Sequence, residues 1–157
     1  MGYQQKYENL LQTLCYAYEK MFCLLEGIGQ CDEKLASLSV MHRPNVEEVH
    51  NITFYKERLI ATLDQLSIAV EPIHEQLDGI SELCQEVNSH PLYCRMEDLQ
   101  ILTYYNIRKI INKEDINNPD IIHRLNSYKE SLELDAILNA IPESQKQVFM
   151  LIPERKV

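Results

Sequence analysis

From Leu59 to Val87, apolar side chains recur at Leu59, Leu63, Leu66, Val70, Ile73, Leu77, Ile80, Cys84 and Val87, in alternating steps of four and three. Such a seven-residue repeat is the seam of a coiled coil or of a long bundle helix. One stripe of that helix is apolar and needs a partner. A second seam can supply it, because Tyr7, Leu11, Leu14, Tyr18, Met21, Leu25 and Ile28 step in the same way. Asp32 interrupts this second seam and Leu35 resumes it. Leu10, Ala17, Phe22 and Leu24 widen its stripe, which suits a bundle better than a thin two-stranded coil. Gly27 and Gly29 straddle Ile28 and lower helix propensity by about 1 kcal/mol each. The pattern predicts a helix over about 3–41 that bends or frays at these glycines.

His42-Arg43-Pro44-Asn45 is the first break. Pro44 biases Arg43 away from helix, and Asn45 is placed to cap a helix whose first turn holds Glu47 and Glu48. The second helix is expected over about 46–88. So short a connection makes the two helices antiparallel, each on the order of 60 Å long at 1.5 Å per residue. Pro72 lies inside the second seam, between Val70 and Ile73. The repeat keeps its phase across it, so a kink is favoured over a stop; the alternative is that Glu71-Pro72 opens a new helix. Asn88-Ser89-His90-Pro91 ends this helix. A third helix is expected over about 96–112, although Gln100-Ile101-Leu102-Thr103-Tyr104-Tyr105 has the composition of a strand. Lys113 to Asn117 reads as a polar linker. Asn118 and Pro119 then open a fourth helix over about 119–141, with Ile121, Leu125, Tyr128 and Leu132 on one face and Leu134, Ile137, Leu138 and Ile141 continuing it. Pro142 ends it. Residues 1–141 thus read as one helical-bundle domain, and 142–157 as an apolar and basic tail. The tail run Val148-Phe149-Met150-Leu151-Ile152 must be covered by the domain, another subunit or a partner. The fold class is all-α: an elongated antiparallel helical hairpin carrying two shorter C-terminal helices.

Composition supports this class. The 157 residues hold only four glycines and six prolines, too few for a β chain full of tight turns. The formal net charge of -9 is unevenly spread, since residues 45–90 hold two Lys/Arg against nine Asp/Glu. An acidity centred on the second helix repels phosphate backbones and anionic lipid, which argues against nucleic-acid or membrane-surface binding. It reads as a solvated face, or as one that attracts a basic partner. Five cysteines without a CxxC pair, and no signal peptide, predict a reducing cytoplasmic setting. Lys6 stands where a myristoylation signal wants Ser or Thr, and no apolar run approaches the roughly 20 residues that span a bilayer.

Candidate chemistry is sparse. Glu47/His50 and Glu71/His74 have the Glu-x-x-His spacing of di-iron bundle sites, but they lie roughly 36 Å apart along one helix, too far to share a metal pair. His74-Glu75-Gln76-Leu77-Asp78 has Asp78 where the zinc-binding HExxH motif needs its second histidine. His90 and Cys94 flank Pro91, so they do not read as one helical face. Cys15, Cys23 and Cys31 recur every eight residues and form no cluster, and Cys84 occupies a seam position as a small core residue. Arg108, Lys109 and Lys113, beside Glu114 and Asp115, read as a solvated face. No Gly-rich phosphate loop or Gly-x-Ser-x-Gly elbow is present. The expectation is a protein without catalytic, metal or cofactor residues.

The leucine-rich first helix, Tyr7-Glu8-Asn9-Leu10-Leu11 through Leu24-Leu25-Glu26, is followed in the second by Lys56 and then Leu59, Leu63 and Leu66. Over roughly the first 90 residues this resembles the flagellar type III export chaperones of the FlgN and FliT kind. The sequence departs from that pattern at Pro72 and in the Tyr-rich segment after His90. The resemblance implies a cytoplasmic, non-enzymatic chaperone holding a helical segment of a hook-associated or filament-cap subunit before export. Recognition would be of the helix-in-groove kind. The stripes expected to bind are Leu125, Tyr128 and Leu132 of the fourth helix, and Val148, Phe149 and Leu151 of the tail. The alternative is a structural scaffold whose seams build a homodimer or larger homo-oligomer.

Overall fold

The computed structural model describes residues 2–114, 119–130 and 132. The described chain is helical, in the order α1 (Tyr3–Ser39), α2 (Val46–Leu83), α3 (Glu86–Ser89), α4 (Pro91–Lys113) and α5 (Pro119–Glu130), with no strand among the described residues. All seven seam residues of α1, from Tyr7 to Ile28, are buried. In α2 the seam positions Leu63, Val70, Leu77 and Ile80 are buried, and Leu59, Leu66 and Ile73 pack half-buried against them. The two helices run antiparallel: Tyr18 faces His74, Gly27 faces Leu59 and Asp32 faces Lys56.

Helix α1 is the hub. It packs along both α2 and α4, and α5 closes the fourth side by touching α4 and α2. Pairs of Glu8 with His90, Cys15 with Leu92 and Glu19 with Arg95 show that α4 runs parallel to α1. Arg124 on Asp64 then sets α5 beside α2. The result is an up-down-up-down bundle with the long hairpin as its spine.

Local chemistry explains the boundaries. The Asn45 side chain accepts a hydrogen bond from the Glu48 N–H at 3.2 Å, and Glu47 and Glu48 occupy the first turn of α2. Helix α1 runs through Gly27 and Gly29 without a break. Leu59 lies so close to Gly27 that a Cβ there would stand 3.0 Å from a Leu59 methyl. Helix α2 continues through Pro72. Pro72 is exposed, so the carbonyl that loses its partner lies on the solvent side of the helix. The second helix stops at Leu83 rather than at 88, because Cys84 takes extended backbone (φ -142°, ψ 103°). The apolar repeat outlasts the helix because Val87, on the one-turn α3, still reaches the core. Helix α4 starts at Pro91 rather than at 96. The His90 Nδ1 accepts from the Leu92 N–H at 3.1 Å and caps it, and proline suits its first turn. The strand-like run from Gln100 to Tyr105 is helical, with Thr103 and Tyr104 buried. Tertiary packing overrides its β propensity.

Candidate functional site

Three features stand out from ordinary core. The first is a buried cluster of charge. Asp32 breaks the α1 seam, and Lys56 occupies the α2 seam position three residues before Leu59. These two polar interruptions meet: Lys56 Nζ lies 2.5 Å from Asp32 Oδ1, and it also pairs with Glu114 at the end of α4. The Lys56 and Glu114 side chains are 3% and 1% exposed, so water screens the cluster little. One ammonium thus serves two carboxylates. Burial works against the Lys56 charge, but the hydrogen bonds to Asp32 and Glu114 outweigh it and hold its pKa above the ordinary value. Burial drives the Glu114 pKa up, and the Asp32 carboxylate adds to this, against the opposing pull of Lys56. The cluster joins α1, α2 and the end of α4 at a single point.

The second feature is a cleft of about 270 Å³ among α1, α2, α4, α5 and Leu132. At its floor Tyr18 Oη and His74 Nε2 are 2.7 Å apart, and the Gln100 amide donates to Tyr18 Oη at 3.2 Å. Leu77, Tyr93 and Met96 form apolar walls, and Glu71, Glu75 and Asp78 line the side belonging to α2. Buried Tyr128 lies here too, and its hydroxyl donates to the Met21 sulfur. Burial pushes its phenol pKa far up, so the ring is neutral. The cleft offers hydrogen bonds and apolar contact.

The third feature is the outer face of α2. Phe54, Tyr55, Ile68 and Leu83 are 58%, 55%, 66% and 70% exposed. At 3.6 residues per turn they share one side of the helix with Ala61 and Ala69, which are also exposed. Arg58 is the only charge on that side between Asn51 and Leu83. Single exposed apolar residues are ordinary. Four large ones along one face of the most acidic element form a pattern, one that spans about 44 Å from Phe54 to Leu83.

The residues expected to bind a partner divide in two. Leu125, Tyr128 and Leu132 are 1%, 5% and 3% exposed and pack into the bundle, so as placed they reach no outside partner. Val148, Phe149 and Leu151 lie outside the described residues, as do Leu134, Ile137, Leu138 and Ile141. Among the candidate chemical groups, His74 bonds Tyr18. Among the described residues no three His, Cys, Asp or Glu side chains are grouped to hold a metal ion. The five cysteines are free thiols, Cys15 and Cys31 buried and Cys23 and Cys94 exposed. Arg108 and Lys109 lie over the rings of Tyr104 and Tyr105, at 5.9 and 5.4 Å from the ring centroids. The cluster at Lys56 left a signal in both seams, but its third member did not, because Glu114 reads as part of a polar linker. No described helix is long and apolar enough to cross a membrane. No protein-family model, curated protein or solved structure matches the chain.

Proposed function

We propose that this chain is a non-enzymatic binding protein, an export chaperone that holds a helical segment of a flagellar hook-associated or filament-cap subunit. The observation that supports it is the exposed apolar outer face of α2. A helix that buries one stripe in its own bundle and presents a second stripe to solvent is built for helix-in-groove or helix-on-face recognition. The resemblance of α1 and the Lys56–Leu66 stretch to such chaperones supplies the partner class, and a cytoplasmic location goes with it. The test is capture on the full chain from native cell extract, read by mass spectrometry. Recovery of hook-associated or filament-cap subunits is expected. Recovery of the chain alone overturns this reading and leaves the homo-oligomeric scaffold.

A further inference from the structure

The distribution of charge around α2 says more about the partner than the apolar face does. Between Asn51 and Leu83 the carboxylates are Glu57, Asp64, Glu71, Glu75, Asp78 and Glu82. Their spacing of seven, seven, four, three and four places all of them on one flank of the outer face. Asp64 is engaged by Arg124, whereas Glu57, Glu71, Glu75, Asp78 and Glu82 are exposed. The opposite flank carries no Lys or Arg, since Lys56 is buried in its charge cluster and Arg58 lies on the face itself. The face is therefore an apolar strip, interrupted by Arg58, Gln65 and Gln76, with an acidic border along one side.

We infer that this strip docks an amphipathic helix whose apolar stripe is bordered on one side by a row of Lys or Arg at seven-residue spacing. The inference rests on the binding reading above and names the chemistry of its partner. A second copy of the chain does not fit. Two such faces meeting antiparallel about a two-fold axis lay like flank against like flank, acid row against acid row. A parallel pair lays the acid row against a flank with no cation. The antiparallel arrangement costs repulsion and the parallel one gains no ion pair, whereas a basic-bordered helix gains a few exposed ion pairs and a faster encounter.

The test uses the full chain and three synthetic helical peptides with one shared apolar stripe, whose border row is Lys, Gln or Glu. Binding is read by fluorescence anisotropy at low and high salt. The Lys peptide is expected to bind about ten-fold tighter than the Gln peptide, the worth of a few exposed ion pairs, and the Glu peptide weakest. High salt should erase the difference. Combined Glu57→Gln, Glu71→Gln, Glu75→Gln, Asp78→Asn and Glu82→Gln should remove the Lys advantage, whereas Glu26→Gln with Glu33→Gln, exposed on α1, should leave it. Phe54→Asp with Ile68→Asp should abolish binding of every peptide while the circular-dichroism melt stays unchanged. Equal binding of the Lys and Gln peptides, or loss of the advantage in the α1 variant, overturns the charge assignment. A dimer in sedimentation that Phe54→Asp with Ile68→Asp renders monomeric assigns the face to a second copy and overturns it too. Capture of an export subunit undiminished by those two substitutions keeps the chaperone reading and removes this face as its site.

Discussion

Lys56 is the residue on which most depends. Its charge sits between Asp32 and Glu114 inside the bundle, and removing it strands two buried carboxylates. Lys56→Met should cost about 3–5 kcal/mol, seen as a fall in the chemical-denaturation midpoint, because an uncompensated buried charge is left behind. Adding Asp32→Leu and Glu114→Leu should recover most of that loss, since apolar groups of similar size need no partner. A triple variant no more stable than Lys56→Met would show that the cluster does more than neutralise itself. The same cluster gives stability a pH dependence. The Glu114 carboxyl, with its pKa raised by burial above the ordinary 4.5, holds more protons folded than unfolded between those two values. Stability must therefore fall as pH rises through that interval. Lys56 works at the other end: its raised folded pKa keeps its contribution intact below the ordinary 10.5 and loses it as pH rises through the folded value. Thermal melts of the parent and Glu114→Gln across acidic to neutral pH isolate the Glu114 part. The parent should lose melting temperature relative to the variant as pH rises, and parallel curves would contradict the assignment.

At the level of the helix, the seven-residue repeat carried nearly all the information. It gave the seven residues from Tyr7 to Ile28 that centre the buried face of α1, though not Cys15, Cys31 or Leu38, which are also buried. Leu35, read as resuming the seam, is half-buried. The antiparallel pairing of α1 with α2 followed from the short break at Pro44. The ends of elements were less legible, because they depend on single side chains. The start of α4 turns on the His90 ring accepting one N–H, and the end of α2 on the extended backbone of Cys84. Neither leaves a periodic trace. The two glycines of α1 show the same limit. They look alike in sequence, but a Cβ at Gly29 meets nothing within 4 Å, and one at Gly27 meets Leu59 at 3.0 Å. Gly29→Ala should therefore stabilise the protein by about 0.5–1 kcal/mol, the ordinary gain in helix propensity. Gly27→Ala should gain less or lose, because Leu59 must shift. The two melting curves, run side by side, test this; equal gains would mean that Leu59 yields without cost.

For the whole molecule, the candidate partner surfaces divide according to whether the bundle must open. The outer face of α2 is accessible as the chain stands. Charge at each of its positions was legible in the sequence, but its exposure was not, because the repeat reports the face that is buried and is silent about the opposite one. Leu125, Tyr128 and Leu132 can meet a partner only if α5 leaves its place. That helix has 12 residues, against 37 in α1 and 38 in α2. Its polar ties include the half-exposed pair of Arg124 with Asp64, worth well under about 1 kcal/mol, the Tyr128 hydroxyl on the Met21 sulfur and the Lys129 ammonium over the Tyr104 ring. Its apolar hold is chiefly Ile122, Leu125 and Tyr128. With four buried residues against eleven in α1, α5 is expected at the lower end of the local stabilities within the fold. Amide hydrogen exchange should show α5 opening at lower free energy than α1, and Leu125→Ala, at about 2–5 kcal/mol for a buried leucine, should release α5 while α1 and α2 stay protected. If partner binding then tightens, these three residues belong to a second, concealed surface. If α5 exchanges in step with α1, they are permanent core, and recognition is left to surfaces that need no opening.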